Sequence, residues 1–224
     1  MDAPLQALPV PSETVAPEAQ WTDPVTLTGR FIRLEALETR HAAGIFRHAD
    51  AETVALLSRG GPAEHSVQGW AEYIQRLNAV PGRVNWAVVV PGGHDAGTGQ
   101  AETGQVAGRV SYSSMNHADR WAEIGTMLTP PFRGGFCNPE AKLLLMERAF
   151  TVLGAGRVHF KVDARNARSR AAMRKLGATE EGTLRRYQTR PDGLSRDSVM
   201  FSVLPEEWPA VRAGLLDRLD GFSR

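Results

Sequence analysis

Trp121-Ala-Glu-Ile-Gly-Thr-Met-Leu128, Thr129-Pro-Pro-Phe-Arg-Gly-Gly-Phe-Cys137 and Asn138-Pro-Glu-Ala-Lys-Leu-Leu-Leu145 follow one another without a gap. The first block reads as a strand. Two prolines and a glycine pair break it, and the third block opens a helix. Asn138 is a good N-cap, and Pro139 suits the first helical position because its missing N–H would be unpaired there anyway. The helix should run to about Leu153 and stop before Gly154 and Gly156. Its N-terminus offers free backbone N–H groups and a partial positive charge. Gly134 and Gly135 let the preceding backbone curl so that successive N–H groups point inward as an anion nest. Phosphate or diphosphate is the natural ligand of such a turn. No Gly-Lys-Ser/Thr follows the glycines and no spaced glycine triplet is present, so neither a P-loop nor a dinucleotide fingerprint is in hand. The alternative is a plain strand-to-helix turn that uses glycine for geometry alone.

Outward from this block the periodicity alternates between strand and helix. Upstream, Val25–Leu34 suggests a hairpin-like start. Glu38–Leu57 and Ser66–Val80 have helical spacing, with Trp70, Tyr73, Ile74 and Leu77 at i, i+3, i+4, i+7. Trp86–Val90 and Val106–Met115 read as strands, and Pro91–Gly99 as a flexible turn. Downstream, Arg157–Val162 is a strand and Asn166–Leu176 a helix closed by Gly177. Thr183–Thr189 and Ser195–Leu204 make a hairpin around Pro191-Asp-Gly193, and Pro205–Leu219 is a last helix. This order predicts one mixed α/β domain with antiparallel strands at both ends.

The chain has 224 residues, enough for a full core in one domain, with 42% hydrophobic and 23% charged residues. No apolar run is long enough for a membrane span. One cysteine excludes a disulfide framework and a multi-thiolate zinc site. The six histidines (41, 48, 65, 94, 117 and 159) show no ligand spacing, so no metal is expected. Four of the fourteen prolines fall in the first 20 residues, and we expect residues 1–22 to be a flexible tail and 23–224 the folded domain. The N-terminus has no basic, then apolar, signal pattern, so a cytoplasmic location is expected. The net charge of +1 is uneven: from Arg157 to Asp197 there are eleven Lys/Arg against five Asp/Glu. That asymmetry points to an acidic partner for this half, or to a solvated helix face. Nucleic acid is disfavoured, because no basic run is interleaved with aromatics.

Two groups of residues resemble a known family. Glu123-Ile-Gly125, Arg133-Gly-Gly135 and Glu140-Ala-Lys142-Leu-Leu-Leu145 resemble the cofactor loop of the GNAT superfamily of acyl-CoA-dependent N-acetyltransferases. Val162-Asp-Ala-Arg-Asn166-Ala-Arg-Ser169, followed by Lys175-Leu-Gly177 and Glu181-Gly182, resembles its second motif, in the form found in the RimJ/RimL branch that acetylates ribosomal-protein N-termini. The resemblance covers about residues 25–204. It implies a central mixed, mostly antiparallel sheet, splayed at its middle and flanked by helices, with CoA in the split and no metal. It implies cofactor contacts from Met127, Leu128, Arg133, Gly134, Gly135, Phe136, Cys137, Asn138, Asn166, Ser169, Arg170 and Met173. The loop departs from the family signature Arg/Gln-x-x-Gly-x-Gly/Ala, whose positions here hold Pro131, Gly134 and Phe136. Gly135 restores freedom one residue early, or Phe136 crowds the diphosphate.

For catalysis, an ammonium must lose its proton and a thiolate must leave. Glu123 sits mid-strand where the family often keeps a base. An isolated carboxyl in an apolar strand would have a raised pKa suited to that task; the alternative is a solvent-facing strand residue. His159 is a second candidate base. The family's tyrosine acid is replaced by Met173, which leaves Ser169 as the polar group on the same helix start; alternatively Ser169 only serves the helix terminus. Asn166 is expected to cap that helix and to hold the pantetheine arm. Cys137, beside a helix N-terminus, should have a lowered pKa, but no base stands near it to make it a nucleophile. The expected activity is transfer of an acetyl or other short acyl group, such as succinyl, from acyl-CoA to a primary amine of a small molecule or a protein N-terminus, in a chain that is a candidate homodimer. The competing functions are a non-catalytic acyl-CoA-binding regulator of the same fold and a nucleic-acid-associated protein.

Overall fold

The computed structural model describes residues 14–55, 57, 60–92, 104–190 and 193–222. Eight strands form one sheet: β1 (Leu27–Thr28), β2 (Arg33–Ala36), β3 (Val84–Val90), β4 (Gln105–Asn116), β5 (Trp121–Leu128), β6 (Arg157–Asp163), β7 (Thr179–Thr189) and β8 (Ser195–Val203), in the spatial order β1-β2-β3-β4-β5-β6-β8-β7. The helices are α1 (Glu18–Trp21), α2 (Ala42–His48), α3 (Ala51–Ala55), α4 (Val67–Asn78), α5 (Cys137–Glu147), α6 (Ala167–Leu176) and α7 (Trp208–Asp220). This is the mixed α/β domain that the alternation predicts.

One pairing positions the site. All neighbours are antiparallel except β5 and β6, which run parallel and bond only between Trp121–Glu123 and Arg157–His159. Past Glu123 and His159 the two strands part. On the other side of β5, a register shift between Tyr112 and Ser114 bends β4 at the same level; such a bulge adds local twist and re-aims side chains. The sheet is therefore splayed at its middle.

Strand alternation divides the core into two layers. On one face Val110, Tyr112, Ile124, Leu128, Val158, Phe160 and Val162 pack with α5, α6 and α7. On the other, Ala87, Val89 and Met127 pack with Trp70, Tyr73, Ile74 and Leu77 of α4 and with Ile45 of α2. The α4 stripe is the one its spacing predicts, and Ser66 caps that helix by accepting from Gly69 N. Asn166 likewise caps α6 by accepting from Ser169 N at 2.9 Å, and Gly177 closes it at φ +87°.

One expectation is corrected. Helix α5 begins at Cys137, one residue before the expected cap Asn138. Gly134, at φ +82°, turns the chain early enough that Phe136 (φ −71°, ψ −21°) is already helical and stands at the cap position. Pro139 still lies in the first turn, where its missing N–H costs nothing. Of the residues expected to form the tail, 1–13 lie outside the described residues; Ala16 N donates to Leu153 O, Arg148 Nη2 donates to Gln20 O at 2.6 Å and Trp21 is 1% exposed. An indole of that size gains too much by burial to stay in water. Most of the Pro91–Gly99 turn (93–99) and residues 191–192 of the last hairpin turn lie outside the described residues. Among the described residues no helix is long and apolar enough to cross a membrane.

Candidate active site

The parted strands leave a cavity of about 410 Å³. Ile124–Leu128 of β5 line one wall and Phe160–Asp163 of β6 the other. Arg133, Gly134, Gly135 and Asn138 stand at its mouth, and Asn166, Ser169 and Met173 of α6 along its flank. Of the sequence-predicted residues, the cavity brings together Glu123, Met127, Leu128, Arg133, Gly134, Gly135, Asn138, Asn166, Ser169 and Met173. Phe136, Cys137, His159 and Arg170 do not line it.

The mouth is built for an anion. Gly134 takes the left-handed conformation, and a Cβ at Gly134 or Gly135 would meet nothing within 4 Å, so their backbones are openly presented. The first N–H groups of α5 have no partner within the helix and lie next to them. Arg133 fixes the loop: Nε donates to Leu128 O at 2.9 Å, Nη2 to Thr53 Oγ1 at 2.8 Å, and Nη1 pairs with Glu52 at 2.9 Å. Phe136 does not crowd this mouth. Its ring stacks on Phe31 at 4.9 Å and meets Phe222 edge-on. Cys137 is 2% exposed, and burial, with the Glu140 charge behind it, pushes its thiol up to about 11. The expectation of a lowered pKa fails because the side chain turns into the core, away from the free amides. Arg170 turns outward and pairs with Glu180 at 3.5 Å.

At the closed end of the split sits Glu123, 9% exposed. Its carboxylate accepts from Ser113 Oγ at 2.6 Å and pairs with Lys161 Nζ at 2.8 Å; His159 Nε2 lies 3.5 Å away. The β4 bulge delivers Ser113, and the parallel β5–β6 pairing sets Glu123 beside His159. Burial alone would raise the Glu123 pKa. The hydrogen bonds from His159, Lys161 and Ser113, with the Lys161 charge, outweigh it and hold the carboxyl at about 2. The sequence expectation of a raised pKa is thus reversed, because the neighbouring strand brings His159 and Lys161 to Glu123. The His159 ring rests against Trp121, with centroids 5.1 Å apart, and its buried Nδ1 has no partner among the described residues.

Sequence reasoning missed several groups in this cavity. Lys161 entered only as a charge in a tally, although β6 alternation puts 159 and 161 on one face. Lys142 of α5 is 3% exposed; its Nζ donates to Thr126 Oγ1 at 2.7 Å, over the Phe160 ring at 4.6 Å, and burial lowers its pKa to about 7. On the α4 face, Arg109 is 7% exposed and Nη2 donates to Tyr73 Oη at 2.6 Å. No spacing rule marks either residue, because each is brought in by a different element. Among the described residues no cluster of His, Cys, Asp and Glu is arranged for a metal ion.

Comparison with known proteins agrees with this fold. A family profile described as the acetyltransferase (GNAT) domain matches residues 32–179. A crystal structure from T. thermophilus, named provisionally as an acetyltransferase, superposes with a TM-score of 0.79 at 43% identity and covers 89% of this chain and 99% of that one. RimJ of Mycobacterium smegmatis, solved with CoA-disulfide, has a TM-score of 0.67 at 23% identity over 87% of this chain and 94% of that one, a likeness of fold. The spermidine N(1)-acetyltransferase of Escherichia coli K12 is 29% identical over 107 residues, 48% of this chain and 57% of that protein. The chain thus spans little more than half the length of the curated relatives it matches.

Proposed function

The chain belongs to the GNAT acetyltransferase family, and from that premise we propose that it transfers an acetyl or other short acyl group from acyl-CoA to a primary amine in the cavity between β5 and β6. The observation that carries this reading is the split itself, with the free amides of α5 at its mouth and an ionised carboxylate at its closed end. A diphosphate fits the mouth, where Gly134, Gly135, Cys137 and Asn138 offer backbone N–H groups. A slender arm fits between Met127 and Leu128 on one side and Asn166, Ser169 and Met173 on the other. Acyl-CoA supplies the acyl group as a thioester. RimJ of Mycobacterium smegmatis, alike in fold, was solved with CoA-disulfide, which supports a CoA ligand.

Glu123, held ionised, receives the ammonium of the incoming amine, with Ser113 and Lys161 fixing the carboxylate in place. Such a carboxylate is a weak base; His159, whose Nε2 lies 3.5 Å from it behind the cavity lining, is the second candidate base. Ser169 stands in the first turn of α6, where a hydroxyl can donate to the departing thiolate. The test is thermal stabilisation by acetyl-CoA, succinyl-CoA and free CoA, read beside release of CoA thiol in the presence of amines. One-site linkage gives about 2.7 kcal/mol of stabilisation at a hundredfold excess over Kd. Stabilisation by acyl-CoA with thiol release that depends on amine is expected. Stabilisation without turnover would favour the non-catalytic acyl-CoA binder, and no stabilisation would overturn both.

A further inference from the structure

The α4 face of the split carries Glu123 with Lys161 at one end, Arg83, whose Nη2 donates to Ser111 Oγ at 2.9 Å, near its middle, and Arg109 at the other end. Arg109, Ser111 and Ser113 of β4 alternate onto this face, as do Glu123, Gly125 and Met127 of β5. Ser111 lies opposite Gly125, and Arg109 opposite Met127. Arg109 is 7% exposed and lines the cavity, yet among the described residues it pairs with no carboxylate. Nη2 donates to the Tyr73 hydroxyl, and the buried Nε has no acceptor. A buried guanidinium left with a phenol and an empty N–H is costly unless an anion completes it. Its planar fork suits a carboxylate or a phosphate in two-point contact.

Gly125, between the two charged ends, lines the cavity with no side chain to fill it, and Ser111 Oγ closes over its edge, 2.9 Å from where a Cβ would stand. An amine over Gly125 lies two residues, or roughly 7 Å, along the strand from both Glu123 and Met127. Its ammonium faces the Glu123 carboxylate, and an anionic group on the same molecule reaches Arg109. A polycation finds no second free carboxylate here, since Asp163, the other acid lining the cavity, is engaged by Arg190, and Arg83 and Lys161 add positive charge to the lining.

We propose that Arg109 and Tyr73 form an anion subsite for the acceptor, and that the acceptor is a small amine carrying a carboxylate or a phosphate a few bonds from its nitrogen. This rests on the acyl-transfer reading above and narrows it to a substrate class. Carboxylate and phosphate share the required chemistry, and paired probes separate them.

With acetyl-CoA, kcat/KM is compared for β-alanine against β-alaninamide, for 2-aminoethyl phosphate against ethanolamine, and for spermidine. The CoA-saturated protein is also melted with each compound. In at least one pair the charged member should exceed its neutral counterpart by about tenfold or more, the scale of a hydrogen-bonded charge, and should raise the melting temperature. Arg109→Gln should reduce that preference to below about threefold, while stabilisation by CoA alone stays at the wild-type level. If Arg109→Gln does not fold, Tyr73→Phe should still weaken the preference by removing the hydroxyl that holds the guanidinium. Equal rates within both pairs, spermidine as the best acceptor, or a preference that survives the substitutions would overturn the subsite. So would neither turnover nor a thermal shift from either anion in a protein that CoA stabilises. Failure of CoA itself to stabilise the protein would instead overturn the acyl-transfer reading beneath it.

Discussion

Replacing Glu123 by glutamine tests the arrangement at the closed end of the split. The change keeps shape and can keep a hydrogen bond to Ser113, but it leaves the Lys161 ammonium, now 2.8 Å from a carboxylate oxygen, without its counter-charge. Two routes give the magnitude. The carboxyl moves from an ordinary 4.5 to about 2 on folding, and at 1.36 kcal/mol per unit that is about 3 kcal/mol. Removing one member of a buried ion pair costs about 3–5 kcal/mol. A loss of about 3 kcal/mol lowers the melting temperature of a chain this long by about 6–12 °C. The sign with pH follows from the direction of the shift. A carboxyl held low in the folded state contributes fully above its unfolded value of 4.5 and loses that contribution as pH falls through about 2. The gap between wild type and Glu123→Gln should therefore be full at pH 7 and have lost more than half of its size by about pH 3. Urea unfolding of both proteins at about pH 7, 5, 4 and 3 reads it. A melting-temperature shift below about 2 °C at pH 7, or a gap that stays constant down to pH 3, would refute the ion-pair account.

Gly134→Val should raise the Kd for CoA about tenfold by calorimetry, because a branched residue resists φ +82° by about 1–2 kcal/mol, while Gly135→Ala, in open space and without a positive φ, should leave Kd unchanged. Trp21→Ala should cost about 3–5 kcal/mol in urea unfolding, since the indole is 1% exposed. Lys142→Met should stabilise the protein by about 1–3 kcal/mol at pH 6; its amine has a folded pKa of about 7 against 10.5, so the penalty is full below 7 and the gain should vanish as pH rises past 10.5. Ser169→Ala should leave the melting temperature within about 1 °C of wild type and lower kcat about 10–100-fold if the hydroxyl serves the thiolate; an unchanged kcat would make Ser169 structural.

The parts of the fold legible in the sequence were those set by local chemistry. The α4 stripe, the Asn166 cap and the Gly177 terminator each depend on residues within one or two helical turns, and each forms as its spacing predicts. The parts that were not legible depend on which strands and helices meet. Asn138 looks like a cap on local grounds, but the turn at Gly134 starts the helix earlier. Composition alone makes residues 14–20 look free, yet Trp21 beside them is buried against the core and Ala16 bonds to Leu153. Glu123 shows the limit most plainly. Its strand neighbours are apolar, so the sequence around it argues for a carboxyl that resists ionisation. The residues that decide its charge are His159 and Lys161, on the next strand of the sheet, and Ser113, aimed by a bulge in another. Arg109 and Tyr73 meet in the same way, from β4 and α4. In a cavity made by two strands that separate, each wall is visible in its own segment of sequence, but the electrostatics belong to the gap between them, and that gap exists only once the sheet has closed on one side and parted on the other.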